Sequence, residues 1–177
     1  MFPRPSLTLG AEYGAHGLPR RAFHGPINAV LARPFTLVAP AQAVAPRLWT
    51  YVASVRARFF ASAPFQEAKA AALPPTSLVL YGSPTSNPLV AAVLAQAGWR
   101  VEAERVVVGE HVFEGPGLVL IACRPHPDDP AEGVLVYTSA RDDDLVDVNG
   151  VFHGPTDWVV ARRLGRGKHE VLGQGSF

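Results

Sequence analysis

Apolar runs and helical repeats alternate along the first half of the chain. The run PFTLVAP (34–40) lies between prolines and predicts a buried strand, and SLVLYG (77–82) predicts a second one. Between them, apolar residues recur at spacings of four, three and four, which predicts one buried face of a helix that begins near Pro46. These residues are Leu48, Val52, Val55 and Phe59. Two strand–helix units in series predict parallel strands joined by a crossover.

The segment after the second strand carries start and stop signals of a helix. Asn87 suits the N-cap and Pro88 the first helical position, while Gly98 suits a left-handed C-cap. The predicted apolar face consists of Leu89, Val90, Val93, Leu94 and Ala97.

The second half of the chain predicts shorter elements. A hairpin over 100–115 turns near Gly109, strand 117–125 is followed by a polar loop, and strand 134–140 runs antiparallel to it because the loop is too short for a crossover helix. A short helix over 141–152 and strands over 156–163 and 169–174 follow.

The predicted fold is a three-layer α/β sandwich with a mixed, partly parallel sheet. Its first half is flavodoxin- or Rossmann-like and its second half consists of antiparallel hairpins. Residues 1–26 are expected to form an extended arm or linker, and residues 27–177 a single α/β domain.

Charge and composition exclude several classes of protein. The 177 residues contain 16 Lys and Arg against 15 Asp and Glu. The chain therefore lacks the excess of basic residues that is typical of nucleic-acid-binding proteins. No apolar run reaches the length of a membrane span, and no signal-peptide core is visible, so we expect a cytoplasmic protein without a membrane partner. The single cysteine, Cys123, lies in an apolar run and is expected to be buried.

The loop GSPTSN (82–87) is the strongest candidate for a binding site. A strand leads into it, a helix begins after it, and backbone N–H groups at a helix N-terminus attract phosphate. Phosphate or FMN is the expected ligand if the loop binds one, although the Gly-Lys-Ser/Thr and Gly-x-Gly-x-x-Gly patterns are both absent. The favoured interpretation is that the loop only turns the strand into the helix, because helix capping explains Asn87 and Pro88 without a ligand. The candidate ligand-binding residues are Gly82, Ser83, Thr85, Ser86 and Asn87.

No catalytic residue or metal ligand is predicted from a motif. The chain lacks a Gly-x-Ser-x-Gly elbow, and Ser83 is followed by a proline, which has no N–H for an oxyanion hole. A dispersed hydrolase site combining Ser83 with His126 or His153 stays open, because such groups assemble in space. The acidic residues at 128–129 and 142–144 are expected to belong to a surface loop and a helix start rather than to metal sites.

An ordered series of segments resembles a C-terminal domain found in large bacterial esterase-like proteins of the prolyl-oligopeptidase and α/β-hydrolase type. Gly25-Pro26-Ile27 matches its opening, loop 82–87 matches its Gly-Thr-Pro-x-Thr-Asn loop, and Pro125-His126-Pro127 stands where a Pro-Asn-Pro-like segment would be. The resemblance covers nearly all of residues 24–177. It implies an accessory domain, because in such proteins the nucleophile lies in the preceding hydrolase domain. It also implies that relatives are often exported, which departs from the cytoplasmic expectation.

Three functions follow from these patterns. The first is a non-catalytic accessory or protein-interaction domain, whose partner is a second copy or a hydrolase-type protein. The second is a small-molecule binding domain that holds a phosphate-bearing ligand or flavin at loop 82–87. The third is a hydrolase with a dispersed site. An exposed apolar patch on the folded domain would favour the first.

Overall fold

The computed structural model describes residues 26–69 and 74–177. The arm predicted over 1–26 therefore lies, apart from Pro26, outside the described residues. The helices are α1 (Ile27–Leu31), α2 (Pro46–Phe59) and α3 (Pro88–Ala97), with two short 3₁₀ helices, η1 (Asp142–Leu145) and η2 (Val148–Gly150). The strands are β1 (Phe35–Ala39), β2 (Phe65–Glu67), β3 (Ser77–Tyr81), β4 (Arg100–Glu102), β5 (Arg105–Val108), β6 (His111–Glu114), β7 (Leu118–Pro125), β8 (Gly133–Ser139), β9 (Trp158–Gly165) and β10 (Lys168–Gly175).

The described strands form one mixed sheet and one small sheet. The main sheet has the strand order β10-β9-β7-β8-β3-β1-β2, and the small sheet has the order β4-β5-β6. Strands β2, β1, β3 and β8 run parallel, whereas β7, β9 and β10 pair antiparallel with their neighbours. The α/β class, the mixed sheet and the antiparallel pairing of β7 with β8 are thereby confirmed.

Two hydrophobic cores lie on the two faces of the main sheet. On the first face α1, α2 and the 3₁₀ helices pack against it, and on the second face α3 and the small sheet do so. Because both faces are covered, β1, β3 and β8 are buried along their whole length, as is typical of parallel strands. The predicted three layers are present. No helix in the described ranges is long and apolar enough to cross a membrane.

The ends of α3 are those predicted. The side-chain oxygen of Asn87 accepts hydrogen bonds from the backbone N–H groups of Leu89 and Val90. Gly98 ends the helix with φ of 69°, in the left-handed region that favours glycine.

The predicted buried face of α2 is wrong at its last position. Leu48, Val52 and Val55 are buried, but Phe59 is 60% exposed. The helix ends at Phe59, and the next residue, Phe60, contacts Phe35 at the start of β1, with ring centroids 5.2 Å apart. Phe60 therefore takes the position against the sheet that the helical spacing assigns to Phe59.

The helix predicted over 141–152 is also corrected. The segment forms η1 and η2 instead, and Asp147 between them has φ of 71°. A residue in the left-handed region cannot continue a right-handed helix, and aspartate tolerates that region better than most residues. The break leaves Asn149 in η2 facing the first core.

A hydrogen-bonded group of tyrosines crosses that core. Tyr81 of β3 and Tyr137 of β8 are partners in the sheet register and stack with their rings 4.5 Å apart. The amide of Asn149 donates to the Tyr81 hydroxyl at 2.8 Å and its oxygen accepts from the Tyr51 hydroxyl at 2.8 Å. Asn149 thus ties η2 to α2 and to the centre of the sheet.

We expect the free energy of unfolding to fall above pH 10. Burial raises the pKa of Tyr51 to about 12, and burial also raises the pKa of Tyr81 and of Tyr137 well above the ordinary value. Because the unfolded chain loses these protons near pH 10 while the folded chain keeps them, this stabilisation is complete below pH 10 and is lost as pH rises through the folded values.

The variant Tyr137→Phe removes one of these three ionisable hydroxyl groups and so measures its contribution. Between pH 10 and pH 12 the unfolding free energy of this variant should fall less steeply than that of the wild type. The two slopes should differ by about 1.4 kcal/mol per pH unit, the contribution of one proton. Chemical denaturation at a series of pH values measures both slopes. Equal slopes would mean that Tyr137 ionises normally in the folded protein.

Candidate functional site

Loop 82–87 lies at the topological switch point of the parallel strands. Strand β1 is followed by α2 on the first face, and the adjacent β3 is followed by α3 on the second. The chain therefore leaves the carboxyl ends of these neighbouring strands in opposite directions, which is where open α/β sheets bind ligands.

All five predicted ligand residues meet in one tight turn. Ser83, Ser86 and Asn87 are buried, and Thr85 is exposed. Gly82 has φ of 135°, and a Cβ placed there would lie 2.8 Å from Cγ of Pro40, which follows β1. Only glycine satisfies both the backbone conformation and this close approach.

A carboxylate of the chain itself occupies this turn. The backbone N–H of Ser83 donates to Oδ1 of Asp142 at 2.8 Å, and the hydroxyl of Ser86 donates to the same oxygen at 2.6 Å. Asp142 begins η1, just after β8, which is the parallel neighbour of β3. Charge-assisted hydrogen bonds of this kind are the stronger ones in proteins.

The other polar groups of the turn also have partners within the chain. The Ser83 hydroxyl lies 3.0 Å from the Thr85 hydroxyl, and Nδ2 of Asn87 donates to the carbonyl oxygen of Tyr81 at 2.8 Å. A phosphate or flavin at this turn would therefore compete with Asp142 for its donors. Binding of such a ligand at loop 82–87 stays a prediction.

A cavity of about 410 Å³ lies beside the turn, at the first residues of α2. Arg47 and Arg141 line it together with Asp142 and Asp143, and Arg47 pairs with Asp143 at 3.0 Å. Arg47 in the first turn of α2 thus faces a carboxylate from η1.

The structure does not bring Ser83 and His126 together. Ser83 follows the carboxyl end of β3. The backbone N–H of His126 donates to the carbonyl oxygen of Glu132, just before β8 begins alongside the amino end of β3. The five residues of β3 separate the two ends by about 17 Å. Nδ1 of His126 instead accepts the N–H groups of Asp128 and Asp129 and shapes their loop.

The remaining candidates for chemistry are placed as follows. His153 lies between η2 and β9, and the hydrogen-bond partners of the Ser83 hydroxyl are Thr85 and Ser86. Among the described residues, no group of three or more His, Cys, Asp or Glu side chains is arranged to hold a metal. Cys123 is buried as predicted, and burial raises the pKa of its thiol to about 12, so the thiol is protonated at neutral pH.

The opposite end of α2 carries an open apolar groove that the sequence analysis missed. Its volume is about 580 Å³. We call it the phenylalanine groove, and its apolar lining consists mainly of Leu31, Pro34, Phe35, Phe59, Phe60 and Pro64. A second depression of about 300 Å³ includes Tyr51, Arg58 and Asn149, and Phe59 lies between the two. In the sequence, only the consecutive residues Phe59 and Phe60 indicate this groove. One of the two rings packs against the sheet, and the other is left exposed at the end of the helix.

No protein-family model matches the chain, and no curated protein matches it.

The variant Asp142→Ala should lower the free energy of unfolding by about 1–3 kcal/mol, because it removes the charged acceptor that the Ser83 N–H and the Ser86 hydroxyl share. Asp142→Asn is the matched control, since its side-chain oxygen keeps an acceptor at the same position while the charge is lost. Thermal and chemical denaturation measure both variants. A stability of Asp142→Ala equal to the wild type would contradict a structural role for this carboxylate.

The variant Asp142→Ala also tests whether the turn binds anions. Millimolar phosphate should raise the melting temperature of Asp142→Ala more than that of the wild type, because the anion replaces the missing carboxylate and binds only the folded chain. A larger shift of the wild type with phosphate or FMN would instead support a ligand site at loop 82–87.

Proposed function

We propose that this domain is a non-catalytic interaction module that docks a partner protein through the phenylalanine groove. The observation that carries the proposal is the exposed ring of Phe59 between two concave surfaces. Burying such a ring is favourable by roughly 1.5–3 kcal/mol before the costs of association. Aromatic residues are enriched in protein interfaces, and exposed apolar patches mark interaction sites.

The edges of the main sheet are less suited to binding a partner. Strand β10 has two irregularities in its register with β9 and carries Lys168 and Glu170. At the other edge β2 has three residues and follows Pro64. Bulges, charges, short strands and prolines all discourage the addition of another strand. Docking of side chains into the groove is therefore favoured over strand addition.

The resemblance to the C-terminal domain of esterase-like proteins supports an accessory role. It makes a hydrolase-type protein the first candidate for the partner, with a second copy of this chain as the other candidate. In this role the partner supplies the chemistry, and the domain supplies a rigid surface that holds it.

The two other functions have weaker support. The small-molecule alternative rests on the position of loop 82–87 at the switch point, but it requires Asp142 to leave its donors. The hydrolase alternative lacks a contact between Ser83 and a histidine in the described residues.

The proposal predicts peptides that depend on Phe59. A randomised peptide library displayed on phage is selected against the immobilised wild-type chain, with counter-selection against Phe59→Ser. Synthetic versions of the enriched peptides should bind Phe59→Ser about tenfold or more weakly than the wild type, because an aromatic anchor is lost. Fluorescence anisotropy measures each dissociation constant.

The matched control is Phe152→Ser. Phe152 is 82% exposed and lies outside the groove, so the same change in chemistry should leave binding unaltered. Melting temperatures confirm that both variants are folded, as expected for exposed positions. Equal binding to all three proteins, or no enrichment over Phe59→Ser, would rule out the groove as a docking site.

A further inference from the structure

Positive charge lies beside Phe59 at the end of α2. Arg58 lines the depression next to the phenylalanine groove, and no Asp or Glu lines either cavity in the described part of the chain. Arg33, which lines the groove, donates to the carbonyl oxygen of Ala131. Arg56 and Arg58 also lie in the last turn of α2. The docking surface therefore combines exposed aromatic area with positive charge.

Arg58 places its charge directly at the exposed ring. Its guanidinium lies 5.1 Å from the centroid of the Phe59 ring, a cation–π arrangement. Within the described ranges Arg58 forms no ion pair with a carboxylate. The planar guanidinium is thus available to a carboxylate of a partner that covers Phe59.

Arg56 adds a second charge and fixes one wall of the groove. Its Nε donates to the carbonyl oxygen of Ala63 at 2.9 Å, and its Nη2 donates to that of Ala61 at 3.1 Å. These acceptors are neutral, so the hydrogen bonds hold the segment 61–63 in place without neutralising the guanidinium. The wall is therefore formed before a partner arrives, which lowers the entropy cost of docking.

We infer that the segment docked in the phenylalanine groove carries a large apolar side chain flanked by carboxylates. The apolar side chain packs against Phe59 and Phe60, and a neighbouring Asp or Glu pairs with Arg58. This inference rests on the proposed function and adds the chemistry of the partner to it. Charge complementarity of this kind affects the specificity of binding and the association rate more than it affects the affinity.

A symmetric contact between two copies fits the same surface poorly. In a two-fold interface the same patch lies on both sides, so two surfaces that each carry Arg56 and Arg58 would face each other. Like charges across an interface are unfavourable. A separate acidic partner segment is therefore favoured over self-association through this groove.

Charge exchange tests the inference. Among peptides that depend on Phe59, Asp and Glu should be enriched over the input library. The variant Arg58→Glu should weaken their binding about three- to tenfold, and replacing the peptide's Glu by Lys should restore binding to that variant. Arg166→Glu, an exposed position in the β9–β10 turn, makes the same change in net charge and should alter binding less than about twofold.

Each other outcome has a distinct meaning. Peptides that need Phe59 but are neutral or basic, and that bind Arg58→Glu equally well, would overturn the acidic partner and leave the proposed function standing. Absence of any Phe59-dependent peptide would overturn both. A wild-type dimer in sedimentation velocity that is lost in Phe59→Ser would replace the acidic segment with a second copy of the chain.

Discussion

The parallel pairing of β3 with β8 is the contact on which the rest of the structure depends. It joins the strands from the first half of the chain, β1 to β3, to the strands β7 to β10 from the second half, and it brings Tyr81 and Tyr137 into register and into stacking contact. The ladder continues one residue further, where the backbone N–H of Gly82 donates to the carbonyl oxygen of Tyr137. Since β8 ends beside β3, the first residue of η1 reaches the turn that follows β3. Both the tyrosine group and the Asp142 contact are thus consequences of one strand pairing.

That pairing also explains what the sequence could and could not predict. The buried strands β1, β3, β7 and β8 and the capped helix α3 could be predicted locally, because apolar runs mark the strands and Asn87, Pro88 and Gly98 mark the ends of the helix. The short strand β2 was not predicted, and the hairpin predicted over 100–115 has three strands. The neighbours of a strand are not visible locally. Asp142 could be recognised as a residue that suits the start of a helix, but its role as the partner of Ser83 and Ser86 requires the strand order. The contact of Asp142 with the turn was accordingly missed, although the strand, loop and helix that form the turn over residues 82–87 were predicted.

Phe59 shows a second limit of local patterns. Helical spacing identifies which side chains share a face, but it carries no information on where the surface beneath that face ends. The three earlier positions of the stripe lie over the sheet, while the fourth lies at the end of the helix, where Phe60 already contacts Phe35. The exposed ring is therefore a consequence of two consecutive phenylalanines at a helix end, and the spacing alone would bury the wrong one.

The two ends of α2 differ in a way that bears on function. At its first turn, Arg47 is paired with Asp143, and the donors of the nearby turn are occupied by Asp142, so these groups already have carboxylate partners. At its last turn, Arg56 and Arg58 face neutral groups and an exposed ring. The same electrostatic rules govern contacts within the chain and contacts with a partner. The two ends of α2 differ in whether their arginines have carboxylate partners inside the chain. Asp142 and Asp143 supply the carboxylates at the switch-point end from within the chain, whereas under the proposed function a partner supplies those at the phenylalanine end.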